Sequence, residues 1–120
     1  MVYLCMLYHN MILWKKAHCL TLEIYKITKN FPKDELFGVV SQLRRAASSV
    51  PANIVEGGAR RTNKEFSQFL IQARGSLVES QYFLELSKDL NYIPVEKFNE
   101  LSLLSIEVGK MLNSLLGKLK

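Results

Sequence analysis

Apolar residues recur at spacings of three and four through four successive segments of this chain of 120 residues. Such spacing places them along one side of an α-helix. No segment shows the strict alternation of apolar and polar residues that marks a strand. A chain of this length can bury a single core, and short connections favour neighbouring helices that run in opposite directions. The pattern therefore predicts an all-α fold, an antiparallel up-down-up-down four-helix bundle.

Proline limits the first predicted helix. The helix should run from about Leu13 to Asn30 and end before Pro32, because the residue before a proline is disfavoured in helical backbone. The second helix is expected to begin at Lys33. The predicted core positions are Leu13, Ala17, Leu20, Ile24, Ile27 and Phe31 in the first helix, and Leu36, Val40, Leu43, Ala47, Val50, Ile54 and Gly57 in the second.

A second proline, Pro51, falls inside the second predicted helix. It lacks a backbone N–H and costs a helix interior about 3 kcal/mol unless other contacts compensate. Breakage of the helix is the alternative to a kink. We predict a proline kink, because the apolar positions continue in register from Val50 to Ile54. Gly57 and Gly58 then end the helix or let another backbone come close.

A capping pattern marks the start of the third predicted helix. Thr62 precedes Glu65 by three residues, the spacing of a capping box, and the helix should extend to about Leu90. Pro94 is expected in the first turn of the fourth helix. The third helix has two neighbouring seams, that is, lines of apolar or small residues along one side: Phe66, Leu70, Ala73, Leu77 and Leu84, and next to them Phe69, Ser76, Phe83 and Leu90. The apolar side of the fourth helix is formed by Phe98, Leu101, Leu104, Val108, Met111, Leu112 and Leu115. Two seams are more than one core requires, so one of them is a candidate contact with a second subunit.

Residues 1–12 are predicted to be an N-terminal extension and residues 13–120 the bundle. The extension is apolar but has no basic start and no small-residue cleavage site, so a signal peptide is not expected, and Met11 is an alternative initiator. No stretch approaches the roughly 20 apolar residues of a membrane span. Cys5 and Cys19 lack the spacing of a zinc site or a disulfide framework, which favours the reducing cytoplasm.

The search for catalytic residues is negative. Neither His9 nor His18 follows a carboxylate at the spacing that di-iron bundles use, so no metal site is predicted. Ser48 and Ser49 have no base within the pattern, and the glycines near position 57 lack a phosphate-binding motif. We therefore expect no catalytic residue, no cofactor and no enzymatic activity.

The distribution of positive charge is more informative about function than any catalytic motif. The chain has a net charge of +5, which comes mainly from its first half. Clustered lysine and arginine attract the phosphate backbone of a nucleic acid whatever its base sequence, and this attraction weakens as the salt concentration rises. The candidate residues for contact with nucleic acid are Arg44, Arg60, Arg61 and Lys64.

A polar ribbon follows the second predicted helix, well away from the apolar side. Its members are Arg45, Ser49, Asn53, Glu56 and Arg60. Glu56 and Arg60 are spaced to form an ion pair, and Arg74 on the third helix could reach a carboxylate on another helix. Structural or subunit contacts are the favoured interpretation for Arg45, Asn53, Glu56 and Arg74.

Several short motifs occur together between Leu13 and Leu116. They are Trp14 with Ala17, the pair Phe31-Pro32, the run Gln42–Ala46, Pro51 with Asn53, the pair Glu56-Gly57, and the run Arg74–Ser76 with Glu79. In combination they closely resemble the four-helix bundle proteins encoded in intervening sequences of bacterial 23S ribosomal RNA genes. The resemblance implies a subunit that assembles into a ring, typically a pentamer. The resemblance extends to the accessory proteins of diversity-generating retroelements, which work with a reverse transcriptase and its RNA. The family that it indicates has no established enzymatic activity.

Two functional hypotheses follow. The first is a non-enzymatic, ring-forming bundle whose basic surface binds RNA or DNA. The second is an adaptor or scaffold that binds protein and has no nucleic-acid role, in which the arginines and the second apolar seam make subunit contacts.

Overall fold

The computed structural model describes residues 11–120, and four α-helices form this part of the chain. They are α1 (Ile12–Thr28), α2 (Val39–Gly58), α3 (Asn63–Asp89) and α4 (Val95–Lys118), and a short 3₁₀ turn at Lys33–Glu35 lies between α1 and α2. No strand occurs between residues 11 and 120. The predicted all-α class is confirmed, and the arrangement is that of a four-helix bundle.

The predicted start of the second helix at Lys33 is wrong. The amides of Glu35 and Leu36 donate to carbonyls three residues earlier, at 3.0 and 3.2 Å, so the chain makes a tight 3₁₀ turn there. The α-helix begins only after Gly38. Leu36, which directly follows the 3₁₀ residues, is 50% exposed, so its predicted core position is wrong as well.

The other predicted core positions are confirmed as buried or packed against the buried cluster. Each helix contributes to this cluster, and the connections add Phe31 and Ile93. The second α3 seam is largely used inside the subunit: Phe83 packs against the core and Ser76 bonds to α2, whereas Leu90 stays exposed. Ile12, one residue before the predicted boundary, begins α1, and residues 1–10 of the predicted extension lie outside the described residues.

Pro51 leaves a carbonyl group without its helical donor in the core. The helix continues past this residue, so breakage at Pro51 does not occur. Proline has no N–H to offer the carbonyl of Ala47, four residues earlier. The hydroxyl of Thr21 on α1 lies 3.0 Å from that oxygen and 3.1 Å from the carbonyl oxygen of Ala17. A buried side chain of α1 thus supplies the hydrogen bond that α2 cannot make for itself.

The most extensive contact between helices joins α2 to α3. Small residues allow the two backbones to approach: the hydroxyl of Ser76 donates to that of Ser49 at 3.0 Å. A Cβ atom built on Gly57 would lie 2.7 Å from the ring of Phe66 and 2.8 Å from the Cβ of Phe69. The glycine is therefore required by the packing of α3 against the end of α2.

Both ends of α3 are capped. The backbone N–H of Glu65 donates to the hydroxyl oxygen of Thr62 at 3.1 Å, which confirms the predicted cap. The carboxylate of Glu65 accepts the hydroxyl proton of Thr62 at 3.0 Å. At the other end Asn91 has a φ of 63°, and the amides of Asn91 and Tyr92 donate to the carbonyls of Lys88 and Ser87. This pairing is a Schellman motif with asparagine in the left-handed position.

The packing at Gly57 predicts a matched pair of effects. Replacing Gly57→Ala should lower the free energy of unfolding by about 1 to 3 kcal/mol, because the added methyl group meets two phenylalanine side chains in a packed interior. Gly117, whose added Cβ would meet nothing within 4 Å, is the control. Urea denaturation of Gly57→Ala and Gly117→Ala measures both, and equal midpoints for the two variants would contradict the close packing.

Candidate nucleic-acid interface

Three cations surround the connection between α2 and α3. Arg60 and Arg61 lie in the connection and Lys64 in the first turn of α3, and all three are exposed. We call these residues the basic junction. Within residues 11–120, neither Arg61 nor Lys64 forms an ion pair or a side-chain hydrogen bond. Their charges are therefore open to an anion from solution.

Arg60 is positioned by an aromatic ring. Its guanidinium carbon lies 4.6 Å from the centre of the Phe69 ring on α3. The Glu56–Arg60 ion pair that the spacing allows does not form among the described residues, and Glu56 is exposed. Stacking on Phe69 leaves the guanidinium N–H groups free at the ring's edge, where they can donate to a phosphate.

The polar ribbon lies beside a surface groove between α2 and α3. The amide of Asn53 donates to the carbonyl and hydroxyl oxygens of Ser49 at 2.8 and 3.0 Å, so Asn53 has a structural role within α2. Arg45 and Glu79 face the groove from the two helices and make no ion pair within the described chain. The groove has a volume of about 480 Å³ and is lined by Gln42, Arg45, Ala46, Ser48, Ser49, Ala52, Ser76 and Glu79.

Arg74 has a polar partner on α4. Its guanidinium donates to the amide oxygen of Asn113 at 2.9 Å. The expected contact across helices is therefore present, but the partner is an amide and not the carboxylate that we predicted. The contact is exposed and leaves the positive charge of Arg74 unneutralised.

Arg44 lies apart from the basic junction. It precedes Arg60 by 16 residues, most of them in α2, which corresponds to about 24 Å at 1.5 Å per residue of helix. Its Nε donates to the hydroxyl of Thr28 at 2.9 Å, and its guanidinium carbon lies 4.7 Å from the centre of the Tyr25 ring. The structure thus brings Arg60, Arg61 and Lys64 together and ties Arg44 to the end of α1.

A second groove lies at that end of the molecule. Its volume is about 310 Å³, and its lining residues are Thr28, Lys29, Phe31, Pro32, Lys33, Leu36, Val40 and Arg44. The hydroxyl of Tyr92 donates to Glu35 at 2.7 Å, and the Tyr92 ring lies 5.2 Å from that of Phe31. The connection between α3 and α4 therefore holds the 3₁₀ turn in place.

The same hydrogen bond perturbs Tyr92. Because the carboxylate of Glu35 accepts the phenolic proton and disfavours the phenolate, the pKa of Tyr92 is raised above 10.0, with desolvation as a smaller cause. The folded chain holds this proton more tightly than the unfolded chain. The contribution to stability is thus present below pH 10 and is lost as the pH rises through the raised pKa.

Comparison with known proteins gives the family. The profile of the 23S rRNA-intervening sequence proteins matches residues 9–114. This chain belongs to that family. The result confirms the resemblance to the intervening-sequence proteins that was drawn from the motifs between Leu13 and Leu116.

A solved structure from Bacteroides thetaiotaomicron, a protein of unknown function from the S23 ribosomal protein family, is similar to this intervening-sequence protein. The two superpose with a TM-score of 0.82 and share 25% identity, and the match covers 88% of this chain and 96% of the other. A comparison with curated proteins finds no match. The family and the neighbour thus support the fold and name no ligand.

Between residues 11 and 120, no helix is long and apolar enough to cross a membrane. The same part of the chain holds no group of three or more histidine, cysteine, aspartate or glutamate side chains that could bind a metal ion.

Sequence reasoning missed two exposed aromatic residues of this intervening-sequence protein. Tyr25 lies under Arg44, and Phe37 precedes α2 with 93% of its surface exposed. A signal was available for both. Each is a large aromatic residue that falls off the predicted apolar seam of its helix, where a polar residue is the usual choice.

The contact of Tyr92 with Glu35 can be tested by titration. We expect Tyr92 to ionise above pH 10.0 and Glu35→Gln to lower its pKa, because the neutral amide no longer disfavours the phenolate. NMR of a chain labelled at tyrosine measures both. Asp34→Asn is the control and should shift the pKa less, since Asp34 is the smallest of the causes. An unchanged pKa of Tyr92 in Glu35→Gln would show that the hydrogen bond from Tyr92 to Glu35 does not persist in solution.

Proposed function

We propose that this chain is a non-enzymatic, oligomeric bundle of the cytoplasm that binds RNA or DNA through the basic junction. The observation that carries the proposal is the set of three exposed cations at one connection, two of them without any partner in the described chain. Side chains with this freedom are suited to phosphate, because the anion replaces water and not an internal carboxylate.

An antiparallel bundle underlies the proposal, and the order of contacts supports it. Along each neighbouring pair of helices, residue numbers rise on one helix as they fall on the other. The pairs are Thr21 with Ala47 and Thr28 with Arg44, Ser49 with Ser76 and Gly57 with Phe66, and Gln81 with Ser105 and Arg74 with Asn113. We also propose that α2 is kinked at Pro51, since this residue removes one helical hydrogen bond.

This arrangement enlarges the positive surface. An antiparallel bundle brings the start of α1 and the end of α4 to the same end of the molecule as the basic junction. Those segments add Lys15, Lys118 and Lys120, all exposed. Lys16 is the exception, because it forms an ion pair with Glu107 at 2.7 Å. The summed field of this end favours a polyanion.

The chemistry of the surface supports sequence-tolerant binding. Arginine and lysine contacts to phosphate position a nucleic acid and carry no base information. Structured RNA is the ligand that the resemblance to retroelement accessory proteins implies, and a reverse transcriptase is an additional partner. Binding of this kind weakens steeply as salt rises, because phosphate contacts release counterions.

An exposed apolar face on α3 supports oligomerisation. Ile71, Val78 and Tyr82 are 49, 59 and 57% exposed and lie on the side of α3 that points away from the core. Gly75 lies among them, and an added Cβ there would meet nothing within 4 Å. Such a face is suited to a second subunit, and a pentamer is the number that the family resemblance implies.

A protein-binding adaptor is the second candidate function. The groove between α2 and α3 favours it, because Arg45 and Glu79 present opposite charges on its two walls without neutralising each other. A partner with matching charges would satisfy both side chains. This function requires no contact at the basic junction.

Charge reversal tests the nucleic-acid surface. Replacing Arg60→Glu together with Arg61→Glu should weaken binding to a structured RNA and to duplex DNA and reduce the salt slope by about 2, one unit for each phosphate contact. Fluorescence anisotropy from about 50 to 200 mM salt measures this. Arg45→Glu with Arg74→Glu makes the same change in net charge and is the control. Equal affinity in wild type and the junction variant would refute the surface.

A second experiment tests the α3 face. Val78→Arg should lower the molar mass measured by light scattering, because it places a charge in the centre of the apolar contact. Leu103→Arg introduces the same charge at a position on α4 that is 69% exposed and should leave the mass unchanged. A mass unaffected by Val78→Arg would exclude α3 as the subunit contact.

A further inference from the structure

Phe37 is the most exposed large apolar side chain in the described part of the chain, with 93% of its surface in contact with solvent. Single exposed leucine or valine residues are ordinary, but a phenylalanine ring that contacts almost nothing is unusual. The ring lies at the α1–α2 end of the bundle, between the 3₁₀ turn and the first residue of α2.

The backbone that carries Phe37 is held on both sides. The amide of Gly38 donates to the carbonyl of Glu35 at 3.0 Å, and the amide of Gln42 donates to the carbonyl of Gly38 at 3.0 Å. The side chain of Glu35 is fixed in turn by the hydroxyl of Tyr92. An aromatic ring on such a supported turn can receive a ligand without first ordering the chain.

The groove that begins at Leu36, the residue before Phe37, combines apolar and cationic walls. Leu36, the neighbour of Phe37, lines it together with three other apolar residues, Phe31, Pro32 and Val40. Lys29, Lys33 and Arg44 supply its charged residues, and no carboxylate is among the lining side chains. Its cations therefore face no internal anion across the groove.

We propose that this α1–α2 end binds unpaired nucleotides of single-stranded RNA or DNA, with one base stacked on Phe37 and the adjoining phosphates on Lys29 and Lys33. Single-strand sites combine a cationic groove with an aromatic ring on which a base stacks, and both parts occur here. Arg44 is held by Thr28 and Tyr25 and adds a fixed positive charge to the groove. A base within a duplex is stacked on its neighbours and is not available to Phe37.

Charge favours this ligand over a second copy of the chain. Two copies meeting across a twofold axis at this end would bring Lys29 and Lys33 against the same residues of the partner, where like charges repel. A surface of anionic lipid is disfavoured by Asp34, which is exposed in the same turn. A flexible polyanion can place its phosphates on the lysines and avoid the carboxylate.

The proposal rests on the proposed function for its class of ligand, but its residues are separate from the basic junction. The two surfaces lie at different ends of α2, so each can be removed without the other. The basic junction is proposed to bind any phosphate backbone, whereas Phe37 adds a preference for unpaired bases.

The test measures anisotropy of fluorescent oligonucleotides with the full chain at about 50 mM salt. The probes are an RNA and a DNA of the same sequence, each about ten nucleotides long, within the range of single-strand sites, and the same strands annealed to their complements. Phe37→Ala should weaken single-strand binding roughly 5- to 150-fold, the loss of one base stack, and leave duplex binding unchanged. A stronger effect with RNA or with DNA identifies which strand is preferred.

Three further variants separate stacking from other effects. Phe37→Tyr keeps the aromatic face and should keep the affinity, whereas Phe37→Leu keeps apolar area without the ring and should lose it. Leu103→Ala removes a comparably exposed side chain on α4 and should change nothing. Phe37→Trp provides a direct readout, because stacking of a base should quench fluorescence beyond the response of wild type, in which Trp14 is the only tryptophan.

Each contrary result overturns the proposal in an identifiable way. Duplex binding together with single-strand affinity that Phe37→Ala leaves intact would overturn this inference and leave the basic junction standing. If wild type binds no oligonucleotide, both proposals fail together. A change in molar mass in Phe37→Ala without a change in oligonucleotide affinity would assign the ring to a subunit contact. Phe37-dependent binding to anionic phospholipid vesicles alone would assign it to a membrane surface.

Discussion

The close approach of α2 to α3 is the constraint on which the rest of the molecule depends. It requires glycine at position 57, because the ring of Phe66 and the Cβ of Phe69 on α3 occupy the space where any larger side chain would project. The approach buries Phe66 completely and leaves only a short connection between the two helices. A short connection has no room to fold back on the bundle, so its arginines point to solvent. The exposed charge of the basic junction is thus a result of the packing beneath it.

Most of the fold could be predicted because its signals are local. The spacing of apolar residues along each helix indicates which side is buried, and all but Leu36 of the predicted core positions lie in or against the core. The 3₁₀ turn was missed because the bond between Glu35 and Tyr92 joins residues that are 57 positions apart. No pattern near Leu36 records that contact. Asn91 was missed for another reason, since asparagine in a left-handed cap has a weaker sequence signal than glycine.

The candidate site was less predictable than the fold. Spacing alone paired Glu56 with Arg60, but the structure offers Arg60 the ring of Phe69, and a cation on a helix surface gains little from an exposed carboxylate. Arg44 and Arg60 are the same type of residue, but they lie far apart in space. The sequence shows how many cations the chain carries, whereas their division between two ends of the bundle follows from which helix each one contacts.

The bond between Thr21 and Ala47 ties two distant positions into one structural unit. Threonine is a poor choice for a buried helix face, and proline is a poor choice for a helix interior. Each is acceptable here because the other is present, since one lacks a donor that the other provides. A residue with an amide hydrogen at position 51 would give Ala47 its own donor, and the hydroxyl at position 21 would then have only the carbonyl of its own helix. Engineering of this core therefore has to treat the two residues as a single choice, because an improvement at either position alone removes the reason for the other.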